Sequence, residues 1–170
     1  MKIILARHGE AEYNSPTGYD KDRHLTDTGV LDIRKMASFI KVSSLKVQHI
    51  LHSPYTRTRE TAEIYAEELG ISEVLESCDE LAPENDCSDL LCKLKPFSNS
   101  ETFLLVSHNP GISHFAAQLI QEDSLFQNLP FSPGTTLAIN IAREFFRKGQ
   151  IIWMISPNDL NSELFLQSRV

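Results

Sequence analysis

Basic side chains that suit the binding of an anion follow three separate apolar segments of this sequence. Arg7 and His8 end the first apolar run, Arg57 comes soon after the second, and His108 directly follows the third. Arginine side chains bind phosphate oxygens in a fixed geometry, and an imidazole can attack phosphorus as a nucleophile. The residue types therefore predict an anion site built around a histidine, on the condition that the fold brings the three segments together.

Apolar periodicity predicts short strands that alternate with longer amphipathic helices. The predicted strands are Lys2–Arg7, Val47–His52, a short one near Val74–Leu75, Thr102–Ser107, Thr136–Ala142 and Gln150–Ile155. The predicted helices run from Thr26 to about Lys41, over Pro54–Leu69, around Ser88–Lys95, and from Pro110 or Gly111 to about Gln121. This alternation is typical of the α/β class, with a three-layer αβα arrangement in a single domain. We expect a mostly parallel central sheet with an antiparallel edge, because the last two strands are joined by a turn at residues 147–149.

Capping residues set the expected ends of the helices. Thr26 is a candidate N-cap, and Ser53 is a second one, with Pro54 at the first helical position. Gly70 follows the predicted end of that helix, where glycine is common. Asn109 is the candidate N-cap of the last helix.

The same topology predicts where the basic residues meet. Ligands of an open α/β sheet bind at the carboxyl ends of its strands. The strands before His8, Ser53 and His108 are expected to be parallel, so all three residues should lie together at the carboxyl ends of the strands. Two helices are expected to begin there, and a helix N-terminus favours a bound phosphate.

Length and composition limit the class of protein. The chain has 170 residues and a formal net charge of -7, which argues against nucleic acid or an anionic membrane as the main partner. The sequence contains no predicted signal peptide and no apolar run of membrane-spanning length. Cys78, Cys87 and Cys92 match no zinc spacing, so we expect thiols in a reducing cytoplasm.

Four motifs, in this order and spacing, resemble those of the histidine phosphatase superfamily, which is also called the phosphoglycerate-mutase-like family. They are RHG at Arg7–Gly9, LTDTG at Leu25–Gly29, SPYTRTRET at Ser53–Thr61 and SHNPG at Ser107–Gly111. Within the superfamily, the short chain and three further stretches are similar to the protein-phosphohistidine phosphatases. These stretches are RHLTDTG at Arg23–Gly29, TTLA at Thr135–Ala138 and WMISPNDL at Trp153–Leu160. The resemblance covers nearly the whole chain and is weakest from about Cys78 to Ser100.

The resemblance implies roles for individual residues. His8 would be the nucleophile and would carry a phosphohistidine intermediate. Arg7 and Arg57 would hold the phosphoryl oxygens, and His108 would add a hydrogen bond or charge to them. Asn14 matches an asparagine that touches the transferred phosphate in the mutase-like branch. The resemblance implies no metal and no organic cofactor.

Other motif residues have weaker assignments. Gly9 and Ser53 are expected at the substrate-binding edge, and Gly9 is also suited to a tight turn. Arg23 fits either the rim of the pocket or a structural role. Arg59 stands two positions from Arg57, on a different face of the helix, so we expect it to pair with Glu63.

A general acid is the least defined part of the predicted site. A phosphate ester needs one because its leaving group is strongly basic. Glu80 is the first candidate, followed by Asp79, Glu84 and Glu10, and a solvated loop glutamate is an equal alternative. A phosphohistidine substrate reduces the need, because protonated phosphoimidazole leaves as neutral imidazole, whose conjugate acid has a pKa of about 6.5.

Three functional hypotheses follow from these residues. The first is a phosphatase that removes phosphate from a phosphohistidine-bearing protein, such as a phosphotransfer domain or a phosphocarrier. The second is a small-molecule phosphomonoesterase, which would depend on Glu80. The third is a module that binds phosphate without turnover, although an intact set of Arg7, His8, Arg57 and His108 argues against it.

Overall fold

The fold was analysed in a computed structural model, which describes residues 1–85, 87, 89–97, 100–122, 129–141 and 148–160. Its strands are β1 Lys2–Arg7, β2 His49–His52, β3 Leu75–Ser77, β4 Thr102–Ser107, β5 Thr136–Asn140 and β6 Gln150–Ile155. Its helices are α1 Asp27–Val42, α2 Thr56–Leu69, α3 Leu90–Leu94 and α4 Gly111–Ile120. The predicted ends at Ser88 and Ala142, and the first residue of the predicted turn at 147–149, lie outside the described residues.

The six strands form one sheet in the order β3-β2-β4-β1-β5-β6. β1 to β4 run parallel, with Arg7 opposite Ser107 and His52 opposite Val106. β5 pairs antiparallel with both β1 and β6. The predicted parallel sheet with an antiparallel pair at one edge is therefore confirmed. Because β1, β2 and β4 are parallel, their carboxyl ends lie side by side.

Helices cover both faces of the sheet. On one face, α1 and α2 pack against β1, β2 and β4, and the buried cluster includes Ile4, Ile33, Tyr65 and Leu104. On the other face, α4 and α3 pack through Phe115 and Leu90, among others. These two buried clusters confirm the three-layer arrangement. None of the described helices is both long and apolar enough to cross a bilayer.

The helix ends agree with the sequence in two places and differ in two. Thr26 is the N-cap of α1, since its Oγ1 accepts a hydrogen bond from the Gly29 N–H at 3.0 Å. Gly70 ends α2 in the left-handed conformation, with φ of 71°. The predicted start of α2 at Pro54 is wrong, because the helix begins at Thr56 with Tyr55 as its N-cap. Ser53 instead lies in the turn before the helix.

Asn109 is also not the N-cap of α4, so that prediction is wrong. The helix begins at Gly111 and Pro110 is its N-cap. The Asn109 Oδ1 accepts from the Ser113 hydroxyl at 2.5 Å, so this oxygen is engaged with a side chain rather than capping a backbone N–H. β3 is shifted to Leu75–Ser77, because Ser72–Val74 form a short 3-10 helix.

Candidate active site

His8 lies at the end of β1, where its backbone is fixed from two sides. Its N–H donates to the Ser107 carbonyl at 3.1 Å, and its own carbonyl accepts from the Gly134 N–H at 2.9 Å. The side chain is almost fully buried, with 9% exposed. The ring Nδ1 lies 2.7 Å from the Gly9 carbonyl, which can only accept a hydrogen bond. In the neutral ring the proton therefore sits on Nδ1, and Nε2 carries the lone pair.

Close approach of two backbone segments sets the position of Gly9. A Cβ on Gly9 would lie 3.0 Å from Ile33 Cγ1, and one on Gly29 would lie 2.2 Å from the Glu10 carbonyl oxygen. The Gly9 N–H donates to the Thr61 hydroxyl at 3.1 Å, and that hydroxyl donates to the Arg57 carbonyl at 2.7 Å. The backbone beyond His8 is thus tied directly to α2. Gly29 lies within α1, where this close approach to the Glu10 backbone explains the glycine.

Arg57 faces His8 from the first turns of α2. Its Nε lies 3.3 Å from the His8 Nε2, and the residue is 6% exposed. The guanidinium carbon also lies 4.9 Å from the centre of the Tyr55 ring, within the range of a cation–π contact. The donor of Arg57 therefore points at the lone pair of His8, where a bound anion would sit.

Arg7 is held by the loop that precedes β5. Its Nη1 donates to the Phe131 carbonyl at 2.7 Å, and its backbone N–H donates to the Thr135 carbonyl at 3.0 Å. Its Nε is buried without a partner among the described residues. Burial, and next to it the charge of Arg57, lowers the pKa of Arg7 from its ordinary value. A buried donor that has no partner is costly, so this Nε is suited to bind a ligand oxygen.

His108 follows β4 and lies beside His8. The two ring centroids are 5.1 Å apart, and Tyr55 contacts the other side of the His108 ring at 5.0 Å. The Nε2 of His108 is 2.9 Å from the Ser53 hydroxyl, while its buried Nδ1 has no partner in the described part of the chain. Ser53 is fully buried, with its hydroxyl against the His108 ring, and its predicted contact with substrate stays a prediction.

The electrostatics of the cluster keep both imidazoles neutral. Burial, followed by the charges of nearby arginines, lowers the pKa of His8 to about 4, although the Gly9 carbonyl acts in the opposite direction. Burial, and then the neighbouring His8, lowers the pKa of His108 to about 2. At neutral pH the His8 Nε2 is therefore unprotonated, as a nucleophile requires.

Arg23 and Asn14 lie farther from His8. The Nε of Arg23 donates to the Glu12 carbonyl at 2.5 Å, and its Nη1 to the Asp20 carboxylate at 2.9 Å. The charge of Arg23 contributes to the lowered pKa of His8, and its predicted place at the rim of the pocket stays a prediction. Asn14 is exposed, and among the described residues no contact joins it to the arginines or to His8.

The Glu80 carboxylate contacts Cys78 and Lys93 rather than Arg7 or Arg57. It accepts from the Cys78 thiol at 2.9 Å and lies 3.5 Å from the Lys93 Nζ. The thiol contact, and less strongly the charge of Lys93, lowers the pKa of Glu80. A general acid needs the opposite shift, so these surroundings favour a structural carboxylate. Glu84 lies nearer the site, with its carboxylate 3.5 Å from the Tyr55 hydroxyl.

An open cleft adjoins the cluster on the side of β5 and β6. Its volume is about 580 Å³. Its wall includes Phe131, whose carbonyl holds Arg7, and Asn109, which follows His108. The rest of the lining is Leu129, Pro130, Ser132, Thr135, Met154, Ile155, Ser156 and Asp159.

Two residues that contact the site were not predicted. Asp20 binds Arg57, and Tyr55 contacts both Arg57 and His108. Tyr55 stands within the SPYTR stretch, where its place between two predicted site residues was a usable signal. Asp20 is 37 residues from Arg57, and no motif marks that pair. The predicted pair of Arg59 and Glu63 is present, with a separation of 3.8 Å.

Comparison with known proteins agrees with this geometry. The family profile of the histidine phosphatase superfamily (branch 1) matches residues 3–82, which include the RHG motif and the arginine of α2. The chain belongs to the histidine phosphatase superfamily. The chain is similar to the phosphohistidine phosphatase SixA of Escherichia coli K12, with 25% identity over 162 residues that cover 94% of this chain and 96% of SixA.

A solved structure extends the similarity to the fold. The protein histidine phosphatase SixA complexed with tungstate superposes with a TM-score of 0.83 at 25% identity, covering 95% of this chain and all of that one. The 2,3-bisphosphoglycerate-dependent phosphoglycerate mutase of Azorhizobium caulinodans is 31% identical over 91 residues. That match covers 52% of this chain and only 44% of the mutase, so the similarity to the mutase is partial.

Proposed function

We propose that this protein is a phosphatase that forms a covalent phosphohistidine on His8 and acts on phosphohistidine carried by another protein. The observation that carries the proposal is the state of the His8 ring. Its Nδ1 is fixed on the Gly9 carbonyl, and its free Nε2 faces the Arg57 Nε at 3.3 Å. The lone pair is thus directed at the point where a cationic donor would hold a phosphoryl group.

The chemistry proceeds in two displacements. The His8 Nε2 forms a bond to phosphorus as the bond from phosphorus to the leaving atom breaks and its electron pair goes to that atom. Water then attacks phosphorus, the Nε2–P bond breaks, and phosphate leaves. The electron pair of that bond returns to His8. Arg7, Arg57 and the Nδ1 of His108 are assigned to the phosphoryl oxygens, where they stabilise the developing charge.

The preference for a P–N bond rests on the leaving group. An ester oxygen leaves as a strong base and needs a positioned acid. The first candidate, Glu80, has a lowered pKa and is engaged with Cys78 and Lys93. A phosphoimidazole that is protonated on its other ring nitrogen leaves as neutral imidazole, so the described cluster suits it better.

The preference for a protein substrate rests on access and on similarity. The cleft lined by Asn109, which follows His108, and by Phe131, which holds Arg7, is open and has apolar and polar walls, so it would give space for side chains that flank a phosphohistidine. SixA, which shares nearly the whole length of this chain, bears the name phosphohistidine phosphatase. A phosphotransfer domain or a phosphocarrier of the cytoplasm would provide such a residue.

Phosphate release tests the proposal directly. A histidine-phosphorylated protein and a panel of phosphate esters are each incubated with the wild type and with His8→Ala, with and without chelator. We expect chelator-resistant release from the phosphohistidine protein by the wild type and none by the variant. Turnover of esters alone would make the protein a metabolite phosphatase. Phosphate binding without turnover on any substrate would leave only a binding module.

A further inference from the structure

Asp20 is the one acidic side chain that directly contacts the phosphate-binding arginines among the described residues. It stands in a short 3-10 turn, Asp20–Asp22, that contacts α2. Its backbone carbonyl accepts from the Arg57 Nη1 at 2.7 Å, and its carboxylate accepts from the Arg57 Nη2 at 3.0 Å. Asp20 therefore accepts hydrogen bonds from both terminal nitrogens of the guanidinium, one through its backbone carbonyl and one through its carboxylate.

These two hydrogen bonds leave several N–H groups of Arg57 available to a ligand. A guanidinium has five N–H groups, and each terminal nitrogen carries two of them. Asp20 takes one from each terminal nitrogen, while the Nε–H points to the His8 Nε2. The Nε–H and one N–H on each terminal nitrogen remain for ligand oxygens. The contacts thus fix the plane of the group without using the donor that faces the nucleophile.

The carboxylate of Asp20 also joins two arginines. Its second oxygen accepts from the Arg23 Nη1 at 2.9 Å. Arg57 is 7% exposed at its side chain, so it has little water to hold its orientation, whereas the Asp20 side chain is 59% exposed. The hydrogen bonds from both arginines lower the pKa of Asp20, so it stays ionised at neutral pH.

We infer that Asp20 is a positioning residue for the reaction, which fixes the Arg57 guanidinium with its Nε toward His8. The inference rests on the proposed function, since it assigns Arg57 to the transferred phosphoryl group. Asp20 does not touch the reacting atoms; it acts through Arg57. Its negative charge opposes binding of a phosphate anion, so removing that charge should lower turnover without weakening anion binding.

Asp20→Asn keeps the backbone contact and the shape of the side chain while removing the charge. We expect kcat on a histidine-phosphorylated protein to fall roughly tenfold, because a misplaced donor stabilises the transition state poorly. The inhibition constant of orthophosphate should stay the same or decrease, because a negative charge has been removed from the site. A positioning role predicts this separation of turnover from affinity.

Asp22→Asn is the matched control. It removes the same charge from the same turn, but Asp22 accepts from the Thr17 hydroxyl and is not in contact with Arg57. We expect wild-type turnover and wild-type orthophosphate inhibition in this variant. A loss in Asp22→Asn equal to that in Asp20→Asn would overturn the inference, since the charge of the turn alone would then explain both.

Further outcomes decide the matter independently of the proposed function. NMR exchange of the Arg57 Nε–H should become faster in Asp20→Asn, even if the wild type hydrolyses none of the substrates tested. Unchanged exchange and unchanged kcat would overturn the inference. Faster turnover would also do so, because Asp20 would then be a competitor of the phosphoryl group. A fall in melting temperature that accompanies proportional losses of turnover and orthophosphate binding would mark a structural ion pair.

Discussion

Two clusters of ionisable side chains lie at the same edge of the sheet, and they are built in opposite ways. The arginine–histidine cluster is made of Arg7 and His8 at the end of β1, Arg57 in the first turn of α2, and His108 after β4. The cysteine–lysine cluster is made of Cys78 and Glu80, which follow β3, and Lys93 in α3. In the first cluster, buried donors lack protein partners. In the second, the charged groups have partners.

In the cysteine–lysine cluster, the charged groups and the thiol are paired with one another or with Glu76. Lys93 lies 3.5 Å from Glu80 and 3.7 Å from Glu76, and the Cys78 thiol donates to Glu80. Burial, and then Glu80, raises the pKa of Cys78 to about 12, so the thiol is protonated and a weak nucleophile. None of the three cysteines, all within the described residues, forms a disulfide. These contacts support a structural role.

In the arginine–histidine cluster, by contrast, some buried nitrogens have no hydrogen-bond partner among the described residues. The Arg7 Nε and the His108 Nδ1 are buried without partners among the described residues, and Asp20 is the carboxylate that contacts Arg57. An unsatisfied buried donor costs roughly 1–3 kcal/mol, so a fold retains it where a ligand supplies the missing acceptor. Between these two clusters, the buried nitrogens without partners among the described residues mark the candidate site better than the number of charges does.

Of the substitutions predicted below, removal of Arg57 should lower turnover the most. Arg57→Ala takes away the donor that faces His8, and kcat on a histidine-phosphorylated protein should fall roughly a hundredfold to a thousandfold. Arg59→Ala, on the same helix, removes an exposed arginine paired with Glu63 and should leave kcat within about twofold. Steady-state assays of both variants decide the point, and equal losses would show that the charge of the helix matters more than the position of Arg57.

The pH dependence of stability should separate His8 from an ordinary histidine. The folded-state pKa of His8 is about 4, below the value of about 6.5 expected when the chain is unfolded. The unfolded chain therefore binds more protons between these values, and the contribution of His8 to the free energy of unfolding is lost as pH falls from about 6.5 toward 4. Urea denaturation at about pH 7 and about pH 5 should show a smaller decrease for His8→Ala than for the wild type. An NMR titration of His8 near its ordinary value would contradict the burial argument.

A tryptophan in the cleft should have a smaller effect that depends on the substrate. Pro130 is exposed and lines the cleft, so Pro130→Trp should lower kcat/KM several-fold on a phosphohistidine protein, because less space remains for flanking residues. It should leave kcat/KM for phosphoramidate unchanged. Pro133→Trp, in the same loop but outside the lining, is the control. Equal losses on the large and the small substrate would show that the cleft has no part in protein recognition.

The smallest effect is expected for Glu80. Glu80→Gln removes a carboxylate that binds Cys78 and Lys93, and kcat/KM on phosphohistidine should change by less than about threefold, as for other partly exposed ion pairs. The second measurement is the rate of ester hydrolysis by the same variant. If ester turnover falls by orders of magnitude, Glu80 is the general acid and the two clusters belong to one site.

Local sequence patterns predicted the site where strand direction determines it. Arg7, His8 and His108 end parallel strands, so their proximity followed from the α/β alternation alone. Contacts between distant side chains were less accessible. Ser53 has the residue type of a helix cap, but its hydroxyl lies 2.9 Å from the His108 Nε2, an interaction that depends on the packing of β2 against β4. The hydrogen bonds between Asp20 and Arg57 join a 3-10 turn to a helix, and no local sequence motif predicts them.

Trapping the covalent intermediate tests the central claim most directly. The wild type is mixed with a histidine-phosphorylated protein, quenched in alkali, where phosphohistidine persists, and examined by mass spectrometry and phosphorus NMR. We predict a phosphoryl group on the His8 Nε2 that appears within the first turnover and is absent in His8→Ala. Turnover that continues without this species, or a phosphoryl group on His108 instead, would contradict the assignment of His8 as the nucleophile.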